Sequence, residues 1–395
     1  MVELAIAGRK PVEKAIPFGR MSSVPSAEVT LLDWAELRKR PRLTPQPVRL
    51  AAQASSDLLA DIWAGIAVGT ICNQAPLGAK VITWGSQHWP EEFRTSAFAH
   101  SYAGIVALQL AKSVVTDVIG LEVPASAVER VISLQHRGVV NMGGGGTRAL
   151  VEFDPQQPTS LALQGRSGQQ QAPQIRRQLF EQVILRFRRD LEVGNLSRNI
   201  PHANAGGIKA LTTFLGELHD NAFEHGRQLK SENAGCGFRA LRIRKHITKT
   251  KDELLAKADG IPELRQYLDQ VTYGGSQQCV IEASVSDFGP GIVDHFLSSP
   301  QGQLYGAFSR GVLLDRIIAE RISAKGSDSS AGQGIKRALI AAKGMAGFVS
   351  LRTGEFWLHQ SFATGEAELR LIPVGDRQRG KVAGTHWQFF WPQPL

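Results

Sequence analysis

The chain has 395 residues, 43% of them hydrophobic, enough for two or three domains with cores of their own. A net charge of +9 invites a nucleic-acid reading, yet no recognisable reader motif accompanies it, so nucleic acid is a possible partner that is not favoured. Three widely spaced cysteines, Cys72, Cys236 and Cys279, argue against a disulfide framework or a zinc site and fit a reducing, cytoplasmic location.

Residues 1–45 read as a basic, Pro-rich arm with short apolar islands such as Thr30-Leu-Leu-Asp-Trp34, expected to be extended and to engage a partner. No long apolar stretch of a signal peptide opens the chain. Over 46–154, β-like runs such as Lys80-Val-Ile-Thr-Trp84 alternate with helical stretches such as 101–115, which predicts a separate N-terminal α/β domain with a sensor, dimerisation or substrate role. Its most apolar run, 62–72, is too short for a membrane span, so no membrane partner is expected. Gly143-Gly-Gly-Gly-Thr147 lacks the lysine of a phosphate loop and reads as a turn between strands. Residues 155–173, rich in Gln, Gly and Pro, read as the linker. In the helix that follows, Ile175, Leu179, Val183, Phe187 and Leu191 mark the buried stripe, and Arg176, Arg177, Arg186, Arg188 and Arg189 its wet side.

Four short blocks then carry chemistry. Glu217-Leu-His-Asp-Asn221 pairs a carboxylate with an amide four residues on, about 40° apart around a helix, so both project from one face. That helix has its apolar stripe elsewhere, at Ile208, Leu211, Leu215, Leu218 and Ala222. Asp287-Phe-Gly289-Pro-Gly291-Ile292 follows the strand-like run from Cys279 and puts an acceptor-only carboxylate beside two glycines that let backbone approach a flat ring. Gly332-Gln-Gly334-Ile335 opens a helix with Ile335, Ala338, Leu339 and Ala342 on its inner face, and its free N–H groups suit phosphate, with Lys336 just inside. Gly384-Thr385 offers a small turn and a hydroxyl. Together the blocks describe a pocket for ATP.

Their order resembles the GHKL superfamily, the gyrase, Hsp90, histidine kinase and MutL type ATPases, over 174–395, a little over half the chain. The resemblance implies a Bergerat ATP-binding fold, a two-layer α/β sandwich with helices over a mixed sheet. It implies that Asn221 binds Mg²⁺, that Glu217 is the general base, and that Asp287 accepts the adenine amine with Gly289, Gly291 and Ile292 lining the base. Gly332 and Gly334 fall at the phosphate end of the lid, and Thr385 near adenine. The cofactors implied are ATP and Mg²⁺, with a protein partner or a homodimer.

The chain departs from that pattern in two places. The segment between Asn221 and Asp287 is long and predicts an inserted helix over 252–270. The lid segment carries Arg310, Arg316, Arg321 and Lys325, cations suited to the γ-phosphate on closure. The expected function is an ATPase acting as an ATP-driven conformational or dimerisation switch. The alternatives are a serine or histidine protein kinase of the same fold, suggested by Glu217-x-x-x-Asn221-x-x-x-His225-Gly226, and a non-hydrolysing nucleotide-gated module that binds protein or nucleic acid. His202 reads as a loop residue and His225 as a packed or capping histidine rather than a phosphoacceptor.

Overall fold

A computed structural model describes residues 24–37, 46–50, 58–75, 79–83, 101–111, 113–116, 140–141, 147–152, 205–225, 238–272, 277–320, 322, 333–364, 368–374 and 379–393. The linker at 155–173, the arginine-bearing helix after it, the Gly143 run, Gly332, Arg321 and Lys325 lie outside these residues. The protein is of the α/β class, and two sheets organise it.

The smaller sheet is parallel, in the order β1 (Gln46–Leu50), β2 (Ala79–Thr83), β3 (Ser113–Thr116), with α2 (Ala60–Gln74) and α3 (Tyr102–Leu110) between successive strands. Helix α2 is apolar nearly all round and is buried along most of its length, as such a pattern requires. The helix predicted over 101–115 is shorter. Ser101 caps it, accepting from the Gly104 N–H, and Val114 and Val115 belong to β3.

The larger sheet has eight strands in the order β10-β9-β8-β11-β7-β6-β5-β4. They are β4 (Val140–Asn141), β5 (Thr147–Glu152), β6 (Arg239–Thr248), β7 (Gln278–Asp287), β8 (Phe348–Gly354), β9 (Phe356–Ser361), β10 (Ile372–Pro373) and β11 (Val382–Gln393). Every pairing in it is antiparallel, which corrects the expected mixed sheet. The helical connection from β7 to β8 does leave those two strands running the same way, but β11 returns between them and pairs with both.

Helices cover both faces of this sheet, so the layering is helix–sheet–helix where two layers were expected. Strand β7 explains why, since all ten of its residues are buried. Ile281, Ala283 and Val285 pack with α4 (Ala205–His225), α7 (Ile292–Leu297), α9 (Arg310–Ala319) and α10 (Gln333–Gly344). Val280 faces the other side, with α2, α3, α5 (Lys251–Ala256) and α6 (Pro262–Val271). The single helix expected over 252–270 is thus two, because Pro262 opens a new helix at a position where it lacks nothing. A short helix, α8 (Pro300–Gln303), precedes α9.

The N-terminal segments are not a body apart. Strand β5 pairs with β6 from Thr147↔Arg244 to Glu152↔Arg239, so the expected boundary at 155–173 falls inside one sheet. The expected extended arm contains α1 (Val24–Leu37), whose Ala27, Leu31 and Trp34, spaced four and three apart, are buried in the core beside α2. Its Glu28 pairs with the fully buried Arg352 of β8 at 3.0 Å. A further ion-pair chain stitches α2 to the sheet. Asp61 accepts from the N–H groups of Tyr102 and Ala103 at the start of α3 and lies 3.6 Å from Arg242, which donates to Glu282 at 2.6 Å. Burial opposes the Glu282 charge, but Arg242 and His246 hold its carboxyl well below the usual range. Among the described residues no helix is long and apolar enough to cross a membrane.

Candidate nucleotide site

Helix α4 delivers Glu217 and Asn221. Its stripe of Leu211, Phe214, Leu215, Leu218 and Ala222 is buried against the sheet. The flanking face that carries Glu217 and Asn221 is covered as well, because the first turn of α10 lies on it. A methyl group at Gly334 would sit 3.1 Å from Asn221 Nδ2 and 3.3 Å from Glu217 Oε2, so any side chain there would press on both of these groups. Glu217 is 5% exposed. Its Oε2 accepts from Arg337 Nη2 at 2.9 Å, an ion pair that no sequence spacing announces.

Asp287 ends β7 opposite Thr385 of β11 on one side and Arg239 of β6 on the other. Its Oδ1 accepts from the Gly289 N–H at 2.9 Å and the Thr385 N–H at 3.3 Å. Burial pushes this carboxyl up to about 7, against the pull of those two N–H groups and of Arg239. Gly384, at φ 81°, carries the chain past Asp287 so closely that a side chain would collide with the Asp287 carbonyl. This is where the β11–β8 register shifts, between Val382 and Thr385. Gly291, at φ 84°, makes the matching turn into α7.

Thr353, which sequence reasoning missed, joins these pieces. Its hydroxyl accepts from the Ile292 N–H and donates to the Gly384 carbonyl, each at 3.1 Å. The only local hint is its place at the end of a strand before a glycine turn.

A cavity of about 110 Å³, several times the room one water needs, opens between α4, α7, α9, α10 and the ends of β7 and β11. Asn221, Asp287, Gly291, Ile292, Gly334 and Thr385 line it. Glu217, Gly289 and Lys336 do not. Gly289 instead shapes the turn by bonding Asp287, and Lys336 is half-buried on α10. The rest of the wall is largely apolar, with Phe296, Ile317, Ile335 and Trp387, together with His295, whose imidazole burial pushes below its usual pKa. Of these, Ile335 alone lay in a sequence block.

The lid cations are not all directed at the cavity. Arg310 donates to Asp294 at 2.6 Å and to Glu355 at 2.5 Å, and Lys381 also pairs with Asp294. Its carboxylate partners, Asp294 first, hold the Arg310 proton still more firmly. Arg316 lies over the Phe308 ring and near Glu320.

Among the described residues no cluster of three or more His, Cys, Asp or Glu side chains is arranged to hold a metal ion. Asn221 nevertheless lines the cavity, and its amide oxygen, unlike the Nδ2 donor that lacks a partner, is an atom able to join phosphate oxygens and water around an ion. Compared with protein-family models, with curated proteins and with solved structures, the chain matches none.

Proposed function

We propose that the chain is a Mg-ATP-binding ATPase of GHKL type, working as an ATP-driven conformational or dimerisation switch. The observation that carries this reading is the cavity itself. Residues from all four sequence blocks, separated by more than a hundred positions, converge on one space with an apolar wall and few polar groups.

In this reading the apolar wall takes the adenine ring, and Asp287 accepts its exocyclic amine. A carboxylate has about four lone-pair sites, so the two N–H groups on Oδ1 leave capacity. The Thr385 hydroxyl stands beside the base. The phosphates lie toward the first turn of α10, where Gly334 lines the cavity and Lys336, outside its wall, adds charge. Mg²⁺ held by Asn221 would neutralise phosphate charge during transfer. Glu217 orients a water and takes its proton, which requires Arg337 to share or release the carboxylate.

That ion pair favours one second reading, a nucleotide-gated binding module that turns over slowly or not at all. Incubation of pure protein with γ-labelled ATP separates the outcomes. Label in inorganic phosphate supports the ATPase, label on protein supports a kinase, and tight binding without transfer supports the gated module. Failure to bind ATP refutes the proposal.

A further inference from the structure

Asp287 and Thr385 face the cavity from adjacent strand ends, and their separation depends on the backbone of Phe288 and Ala383 beside them. Helix α2, on the far face of the sheet, grips both. Asn73 Nδ2 donates to the Phe288 carbonyl at 2.7 Å. The Ala383 N–H donates to Thr70 Oγ1 at 3.1 Å. Gly69 lies against the Phe288 ring with no room for a side chain.

These contacts are specific. Thr70 is fully buried in one of the most apolar helices of the chain, where a hydroxyl costs stability unless it is bonded. Its partner is an N–H at the register shift, where β11 leaves its regular pairing with β8. A side chain thus supplies what the strand ladder does not.

We propose that Thr70 and Asn73 are positioning residues for the nucleotide site. By fixing Ala383 and Phe288 they set the spacing of Thr385 and Asp287, and with it the affinity and base selectivity for adenine nucleotides. The N-terminal α/β segment is then the back wall of the pocket. This inference rests on the reading of the cavity as an adenine-nucleotide site.

The test compares Thr70→Val, Thr70→Ser and Asn73→Ala with the wild type and with Asp287→Asn, using calorimetric titration with ADP, ATP and GTP. Thr70→Val and Asn73→Ala are expected to weaken ADP and ATP binding about five- to tenfold, the effect of one lost hydrogen bond, and to narrow the preference over GTP. Thr70→Ser keeps the hydroxyl and the wild-type affinity. A packing role gives the opposite order, since valine preserves volume and serine does not, and that order overturns the proposal. Hydrogen exchange supplies a readout without nucleotide. Peptides over 284–292 and 381–387 should exchange faster in Thr70→Val, while those over α4 and α10 stay unchanged. Unchanged exchange at both peptides also overturns it. If Asp287→Asn loses binding and Thr70→Val does not, the inference alone fails. If the wild type binds no adenine nucleotide, or Asp287→Asn binds as the wild type does, the pocket assignment fails and takes the inference with it.

Discussion

Arg337 donates from Nη2 to Glu217 Oε2 across 2.9 Å, joining two helices whose residues lie 120 positions apart. The carboxylate proposed to activate water, which does not itself line the cavity, is therefore engaged by a guanidinium that is about half exposed. Binding and turnover are separable at this pair. Glu217→Gln is expected to bind ATP as the wild type does and to lose about 10² to 10⁴ in hydrolysis rate, the usual cost of removing a general base. Phosphate release under saturating ATP is the measurement, and wild-type turnover in this variant would show that Glu217 is not the base.

Asp287 ties affinity to pH. Its carboxyl is pushed up to about 7 by burial, so an amine donor meets a charged acceptor only above that value. ATP affinity should rise as pH increases through about 7, and Asp287→Asn should bind weakly at every pH. Affinity that is flat from about pH 6 to pH 8 in the wild type contradicts this role.

The same group predicts a stability effect of opposite sense. Its folded pKa, about 7, lies above the ordinary value of 3.8, so the stability it contributes is fully present below about pH 4 and is lost as pH rises through 7. Asparagine carries no such penalty. Asp287→Asn should therefore gain on the wild type by about 2 to 4 kcal/mol between pH 4 and pH 8. Urea unfolding at the two pH values measures the difference.

Gly384→Ala places a methyl group against the Asp287 carbonyl at a φ of 81°. A clash with backbone cannot be relieved by a rotamer change, so stability should fall by roughly 2 kcal/mol or more and the Asp287–Thr385 contact should open. Gly344→Ala, at a position with open space around it, is the control and should be close to neutral.

Glu28→Ala tests whether α1 is part of the folded body. It leaves the fully buried Arg352 without its carboxylate, although the Gly354, Phe356 and Gly380 carbonyls still accept from it. Removing one partner of a buried pair costs about 3 kcal/mol. A change below about 0.5 kcal/mol on chemical denaturation, the range of exposed surface sites, would show that α1 does not hold Arg352.

What the sequence determined by itself was local. The stripe at Leu211, Leu215, Leu218 and Ala222 and the strand ending at Asp287 follow from periodicity and β-branched content, which act within one element. The strong turn chemistry of Gly289-Pro-Gly291 and Gly384 was equally readable, since a positive φ at 291 and 384 favours glycine whatever surrounds it. Tertiary structure alone decided the rest. Short apolar islands in a basic N-terminal stretch became α1 only because a core was there to receive Ala27, Leu31 and Trp34. Strand β5 joined the larger sheet because β6 offered it an edge, and a sequence composition shift at 155–173 carries no information about pairing. Arg337, Thr353, Thr70 and Asn73 act through partners 31 to 313 positions away. Such contacts leave no local pattern, because the free energy that selects them comes from burying both members together.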